Sequence, residues 1–379
     1  MRALVKAVPV AVAAAALVLN VSPPQSSLQS AASSGQQAAA AAPAVPLVRA
    51  TPTKVMPIGD SNTGGADAAA GGYRTDLWQL LRADGRPVDF VGSLRAGSAA
   101  LGDHDHEGHG GWTIQGIHDS VAGWLQTYQP DVVTLQIGTN DMYDDTGAGL
   151  APGRLSALLD RITQTAPNAR VFVTSIPPTR IEADQRRTQA FNAAIPGIVA
   201  AKVAAGKQIG YVDTGTAYVA PFDLMDNVHP YYGAASRAAV KWYAALTDQT
   251  VSRYEAEQTA NAAITHAVRT TITSASGNGK VGYIDFDDSA VVFTVQVGAA
   301  GNYRVRARGA NGMGTTCSHR IAANNGPQQP VVYPSYSWDL FHVTAVDVPL
   351  NAGTNTIRFT KGDCYTELDA IDLSPTPTA

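Results

Sequence analysis

Charge is in short supply in this chain of 379 residues: Asp, Glu, Lys and Arg supply 15% of it, against 45% hydrophobic residues, 35 Gly and 22 Pro. That balance excludes a disordered or coiled-coil chain and fits a globular one. A basic excess is missing as well, since 27 Lys and Arg stand against 31 Asp and Glu, for a net charge of −4. No overall positive field then draws nucleic acid or an acidic membrane surface, and neither is expected as a partner. The apolar run from Ala7 to Leu19 falls short of the roughly 20 residues that a membrane-spanning helix needs. Cysteine is limited to Cys317 and Cys364, and none follows that apolar run, which argues against a lipoprotein.

What is present begins with Arg2 and Lys6 ahead of the apolar run, then a Ser-, Gln- and Ala-rich stretch before Pro46. This is the order of a secretory signal. Residues 1–42 are therefore read as signal peptide and low-complexity segment, and the protein is expected to be secreted and extracellular. In an oxidising compartment Cys317 and Cys364 are expected to form one disulfide. A reactive thiol would need a neighbouring base, which the sequence does not suggest. At roughly 100 to 200 residues per domain, the remaining chain makes about two domains, and a monomer is expected.

Between Lys54 and Thr247 short apolar runs alternate with amphipathic stretches. The runs 55–58, 88–91, 132–137, 171–176 and 209–212 read as five buried strands. Ile114, Ile117, Val121, Trp124 and Leu125 recur at helical spacing, as do Leu155, Leu158, Leu159 and Ile162. Such alternation implies a parallel sheet covered by helices on both faces, the doubly wound α/β/α three-layer class, over residues 51–248. From Arg253 the period changes to two, as in Val291, Phe293, Val295 and Val297, and turns such as Gly277-Asn278-Gly279 separate short strands. Residues 253–374 are accordingly expected to form an all-β sandwich or jelly roll. Asp248 to Ser252 would be a very short linker.

Sites in doubly wound sheets form at the carboxyl ends of strands. Gly59-Asp60-Ser61 follows the first strand directly, which suits Ser61 as a nucleophile, although the tripeptide also fits a turn and an N-cap serine. It is not the Gly-x-Ser-x-Gly elbow, because Asn62-Thr63 follow. A serine nucleophile needs a base and the base an orienter. Asp226-Asn227-Val228-His229 falls after the fifth strand, so Asp226 can fix the tautomer of His229 and leave Nε2 facing Ser61. Oxyanion donors are expected from the Ser61 amide, from Asn140 in Gly138-Thr139-Asn140-Asp141, and from Gly110 or Gly111. The segment Asp103 to His109, dense in His and carboxylates, has a rival reading as a metal site. It lacks the helical i, i+4 spacing of the zincins and reads better as loop support for the oxyanion glycine.

Gly59-Asp60-Ser61, a glycine before Trp112, Gly138-Thr139-Asn140-Asp141 and Asp226-x-x-His229 together resemble the SGNH, or GDSL-like, hydrolase superfamily over residues 53 to 247. More narrowly, His106-Glu107-Gly108-His109-Gly110-Gly111-Trp112-Thr113 and the approach to Gly138 resemble carbohydrate esterase family 3, whose known members are acetylxylan esterases. The resemblance implies Ser61 as nucleophile, His229 as base, Asp226 as orienter, and Ser61, Gly111 and Asn140 as oxyanion donors. The sequence departs from the family at Asn62, where an apolar residue is usual, and at Asn227, where a glycine is common.

In the β half, Tyr254-Glu255-Ala256-Glu257, Asn351 to Arg358 and Glu367 to Asp372 resemble family 35 carbohydrate-binding modules, with family 6 as the near alternative. Glu255 and Glu257 share one strand face, and carboxylates so placed offer hard oxygen ligands. The resemblance implies a structural Ca²⁺ held by Glu255, Glu257 and Asp372; an exposed acidic edge is the alternative. Trp338, in a polar loop, is expected to stack on a sugar ring or else to pack in the core. Arg304, Arg306 and Arg308 share a strand face that either meets uronate carboxylates or is solvated.

The sequence thus reads as a secreted serine esterase that removes O-acetyl groups from a plant polysaccharide, xylan first, with a polysaccharide as partner and no cofactor for catalysis. A different acyl substrate, or a binding protein without turnover, are the alternatives.

Overall fold

The computed structural model describes residues 51–66 and 71–377; the signal-peptide expectation for residues 1–42 lies outside the described residues. The first half contains seven strands, β1 Thr53–Gly59, β2 Val88–Phe90, β3 Leu94–Arg95, β4 Asp105–Gly108, β5 Val132–Gln136, β6 Arg170–Thr174 and β7 Ile209–Val212. Its helices are α1 Ser61–Gly64, α2 Tyr73–Ala83, α3 Ile114–Tyr128, α4 Asp145–Thr165, α5 Glu182–Ala204 and α6 Tyr232–Thr247. The sheet runs β3-β4-β1-β5-β6-β7, with β2 also paired to β1. Every pair is parallel except β3 with β4.

The apolar periodicity explains the layers. Ile114, Ile117, Val121, Leu155, Leu158, Leu159 and Ile162 pack with Met56, Leu135 and Val173 on one face of the sheet. Leu77, Leu80, Trp242 and Tyr243 pack with Val55, Val132 and Phe172 on the other. The His-rich segment, read from sequence as a loop, contributes strand β4, because His106 and Asp105 pair with Leu94 and Arg95 while Glu107 and Gly108 lie against Ile58 and Gly59.

The second half holds β8 Ser252–Glu255, β9 Ala262–Thr265, β10 Val268–Thr271, β11 Gly279–Gly282, β12 Ala290–Val297, β13 Gly301–Ala310, β14 Cys317–Ala323, β15 Gln329–Tyr333, β16 Phe341–Leu350, β17 Gly353–Lys361 and β18 Glu367–Pro375. They form two antiparallel sheets, β10-β11-β18-β13-β16 with β8 on β18, and β15-β14-β17-β12-β9. Side chains from both sheets, including Val291, Phe293, Val305, Ile357, Phe359 and Ile371, fill one core between them. Cys317 and Cys364 are joined in a disulfide, Cα to Cα 5.3 Å.

The arginine stripe of β13 is neither solvated nor directed at sugar. Arg306 and Arg308 are fully buried against α2 of the first half. Arg306 grips Asp84 in two parallel bonds, Nε to Oδ1 at 2.8 Å and Nη2 to Oδ2 at 2.9 Å. Arg308 Nε reaches Asp76 Oδ2 at 3.1 Å, and its Nη1 pairs with Asp369. Between these pairs the Gln79 side chain donates to Phe341 O at 3.1 Å and accepts from Val343 N at 2.7 Å. Val343 itself belongs to the apolar cluster under α2 and α6. The β half is therefore a fixed part of the molecule rather than a freely swinging tether, which corrects the sequence reading of these arginines.

Removing one partner of a buried ion pair strands the other charge. Arg306→Ala is expected to destabilise the protein by about 3–5 kcal/mol, read as a fall in the urea midpoint. A loss below about 1 kcal/mol, the value of a surface pair, would contradict the buried clasp.

Candidate active site

β1 ends at Gly59, where a side chain is impossible: a Cβ there would stand 2.1 Å from Gln136 O. The chain then turns, and the Asp60 side chain caps α1 by accepting from Asn62 N at 2.9 Å. Asp60 is fully buried, and burial outweighs its hydrogen bonds and the attraction of His229 to push its carboxyl up to about 6. Ser61 is thereby left as the first residue of α1 at the carboxyl edge of the sheet.

The structure brings Ser61, His229 and Asp226 together. Ser61 Oγ is 2.8 Å from His229 Nε2, and His229 Nδ1 is 2.7 Å from Asp226 Oδ2. A carboxylate at Nδ1 requires the proton there, which leaves Nε2 to accept the serine hydroxyl. Asp226 Oδ1 accepts from Val228 N and His229 N, both at 2.9 Å. Burial works against the ionised Asp226, but the bonds from His229 and the two amides hold its carboxyl below the usual range. The loop carrying both residues is fastened from two sides. Arg180 N donates to Asn227 O at 2.9 Å, and Asn278 of the β half donates to Asp223 at 3.1 Å.

Asn140 lies in a 3₁₀ turn after β5, and its Nδ2 donates one hydrogen to Trp112 O at 2.9 Å, leaving the second available to a substrate oxygen. The two candidate glycines differ. A Cβ on Gly110 would stand 3.9 Å from Ser61 Cβ, whereas one on Gly111 would meet nothing within 4 Å. Gly110 thus lies near the nucleophile, and Gly111, the glycine that the resemblance implies, takes the positive φ of the turn, 79°.

Sequence reasoning missed how this loop is held. Glu107 is buried and accepts from Ser93 N at 2.6 Å, from Ser93 Oγ at 3.0 Å and from His109 Nε2 at 2.8 Å. The His109 ring packs against both Trp112 and Trp124, with centroids at 4.3 and 4.7 Å. Glu107 therefore anchors His109, His109 anchors Trp112, and the Trp112 carbonyl orients Asn140. With its oxygens so occupied, Glu107 is no metal ligand. His106 is turned away too, accepting from Gly108 N, and burial, then repulsion from Arg74 and His109, lowers its pKa to about 3.

Among the described residues the metal-capable side chains that converge are Glu255, Glu257 and Asp369, with ligand atoms within 4.8 Å of one another. Asp372, expected in that set, is not there. It lies opposite Arg253 of β8, which holds it at 2.7 and 2.6 Å. Asp369 joins the two glutamates instead, and it is the extra residue of a bulge on β18, where Arg308 faces Ala370 and Gly309 faces Leu368. Glu255 Oε2, both Glu257 oxygens and Asp369 Oδ1 are buried without a partner, which fits a divalent cation.

Trp338 is half-buried, its ring edge-on to Tyr365 at 5.1 Å and lying over Gly312, where a Cβ would stand 2.6 Å from it. Tyr283, on the other side of Tyr365, is 58% exposed and held at φ of 57° with its amide on the Tyr365 hydroxyl at 3.1 Å. That strained, exposed ring had no signal in the sequence.

Glu107→Gln weakens the anchor of the Trp112 loop without touching the triad. We expect kcat on a soluble ester to fall between about 10-fold and 100-fold with KM unchanged. An unchanged kcat in a merely less stable protein would refute this positioning role.

Residues 58–232 match the GDSL-like lipase/acylhydrolase family, and residues 252–376 match the carbohydrate-binding modules of family 35. A multidomain esterase of Ruminococcus flavefaciens is 33% identical over 215 residues, which make up 50% of this chain and 28% of that protein. A family 3 carbohydrate esterase of Clostridium thermocellum shows 38% identity over 51% of this chain and 94% of its own, with a TM-score of 0.46. A family 35 carbohydrate-binding module from the same organism shows 32% identity over 33% of this chain and 99% of its own, with a TM-score of 0.31. Residues 58–232 thus form a GDSL-like hydrolase domain, of the kind found in carboxylic ester hydrolases, and residues 252–376 a module like those of carbohydrate-binding family 35.

Proposed function

We propose that this protein is a secreted serine esterase that removes O-acetyl groups from an acetylated plant polysaccharide, with acetylxylan as its substrate. The observation that carries the reading is the hydrogen-bonded line from Ser61 through His229 to Asp226. Ser61 Oγ attacks the acetyl carbonyl as His229 Nε2 takes its proton, and Asp226 stabilises the imidazolium. The oxyanion is received by the Ser61 and Gly111 amides and by the free hydrogen of Asn140 Nδ2. His229 then returns the proton to the departing sugar hydroxyl, and water repeats the sequence to release acetate.

A small cavity lies beside His229. It measures about 20 Å³, is walled by Tyr73, Tyr218 and Tyr232, and is of the order of one water molecule. A longer acyl chain is the second reading, favoured by Val219 and Phe222, which are 59% and 71% exposed on the catalytic loop. Secretion rests on the order of residues 1–42; no helix among the described residues is long and apolar enough to cross a membrane. Glycan binding is assigned to the β half, with Trp338 and Tyr283 as ring platforms, and the cation of the acidic cluster to Ca²⁺.

Acetate release from acetylated xylan is the test, with acetylated mannan and a long-chain ester alongside. Ser61→Ala is expected to lower it by at least about 10³-fold. Cleavage of only the long-chain ester would refute the acetyl reading, and equal rates for the two proteins would remove Ser61 from the mechanism.

Calcium has its own signature. Burial, then repulsion from Glu255, pushes Glu257 up to about 8, and burial pushes Asp369 up to about 7 against the pull of Arg308. Without a cation the folded state then holds protons between about pH 4 and 8 that the unfolded state releases, so stability falls as pH rises through that window. Chelator-treated protein is expected to melt lower at pH 8 than at pH 6, and Ca²⁺ at 100 times its Kd to restore about 2.7 kcal/mol. Identical melting at pH 8 with chelator and with millimolar Ca²⁺ would contradict the assignment.

A further inference from the structure

Asp226 and His229 stand on a loop whose two ends meet at one residue, Asp223. Its amide donates to Val219 O at 3.1 Å, and its carbonyl accepts from Tyr231 N at 2.8 Å. Nearer the tip, Met225 N donates to His229 O at 2.8 Å. The buried side chain of Asp223 is the hub of this small hairpin. Its Oδ2 accepts from Val219 N and pairs with Arg237, while its Oδ1 accepts from Asn278 Nδ2 at 3.1 Å. Val219 and Arg237 belong to the hydrolase half, but Asn278 comes from the β half, 55 positions further on.

Asn278 is presented by a loop that rests on the acidic cluster. It takes a φ of 65°, a conformation that asparagine tolerates better than most residues. Ile272 N donates to Asn278 O at 3.1 Å and Asn278 N to Ala275 O at 3.2 Å, which closes the loop on itself. Ser276 donates to Glu255 Oε1 at 2.7 Å and accepts from Arg253 Nη1 at 3.0 Å. Gly277 and Gly279 flank Asn278 and have no space for side chains, since a Cβ would stand 2.3 Å and 2.5 Å, respectively, from Glu257. Asn278 therefore rides on two of the three carboxylates that converge within 4.8 Å. Carboxylates so close repel one another unless a cation or protons neutralise them. A cation that draws Glu255 and Glu257 together fixes the two side chains on which Ser276, Gly277 and Gly279 are seated, and with them Asn278.

We propose that Asn278 is a positioning residue for His229, supplied by the β half, and that cation binding at Glu255, Glu257 and Asp369 tightens the catalytic loop through it. Asn278 acts at one remove from the chemistry. It sets the Asp223 hub, and the hub sets the angle at which Asp226 and His229 meet Ser61, where a misplacement of about 1 Å can cost 10²-fold in rate. The inference rests on the esterase reading and on the cation assignment.

The test is amide hydrogen exchange in the full chain, read by mass spectrometry on peptides covering residues 219–231, with millimolar Ca²⁺ and with a chelator. Steady-state hydrolysis of a soluble acetyl ester and calorimetry of Ca²⁺ binding accompany it. In the unaltered protein Ca²⁺ is expected to slow exchange of these peptides at least about tenfold. Peptides from α4, on the other face of the sheet from α6, should exchange alike in both conditions. Asn278→Asp keeps the turn but sets a carboxylate against Asp223. Its catalytic loop is expected to exchange fast in both conditions, and its kcat to fall about 10-fold to 100-fold with KM unchanged. Asn278→Gly, which also permits the positive φ, is expected to shift both readouts in the same direction. Loop exchange that ignores Ca²⁺ in a protein that binds it would overturn the proposal. So would a Ca²⁺ effect, or a kcat, that Asn278→Asp leaves unchanged. A chain without measurable Ca²⁺ binding would overturn both the cation assignment and this coupling. Absence of ester hydrolysis by the unaltered protein would count against the esterase reading alone, and the exchange measurement would still decide this one.

Discussion

The bond between Asp226 and Nδ1 of His229 decides which way every proton in the site can move. With that nitrogen protonated, Nε2 has a lone pair aimed at Ser61, and a weakly nucleophilic hydroxyl acquires a base at 2.8 Å. The other Asp226 oxygen is spent on the amides of residues 228 and 229, so the carboxylate is locked in place by the loop it belongs to. The rest of the α/β half serves this alignment. Strand β1 delivers Ser61, β5 delivers Asn140, β4 leads into Gly111, and the segment after β7 delivers Asp226 and His229. A parallel sheet brings all four to one edge, as the topology of this class requires.

The β half takes part in holding that edge. Its loop over residues 272–279 touches the catalytic loop through Asn278 and packs on α6, where Gly233 donates its amide to Thr273 O at 3.2 Å and has no space for a side chain against Ala275 O. The acidic cluster lies directly beneath the same loop, since Ser276 donates to Glu255 at 2.7 Å and Gly277 abuts Glu257. Asp369 belongs to that cluster through one oxygen and to the interdomain clasp through the other, which pairs with Arg308. Cation site, clasp and catalytic loop are thus contiguous, and the two halves are joined by buried charge that costs stability when only one partner is present.

Much of this was legible before any coordinates. The five apolar strands and the α3 and α4 helices follow from apolar periodicity, because burial on one or two faces writes itself into residue spacing. Ser61, His229 and Asp226 were legible because strand ends and a three-residue spacing put them on the same edge. What stayed hidden depends on contacts between distant segments. Strand β4, Asp105-His106-Glu107-Gly108, has no apolar run to read. The bulge at Asp369 is a one-residue slip in pairing. Arg306 and Arg308 look like a solvated stripe until Asp84 and Asp76, more than 200 positions earlier, are placed against them.

The central claim is that His229 activates Ser61 as a nucleophile. It is tested most directly by treating the full chain with a fluorophosphonate, which captures an activated serine, and locating the adduct by peptide mass spectrometry. The account predicts one adduct per chain on Ser61, formed at least about 10²-fold more slowly in His229→Ala. An unlabelled Ser61, or labelling at the same rate without His229, would contradict it.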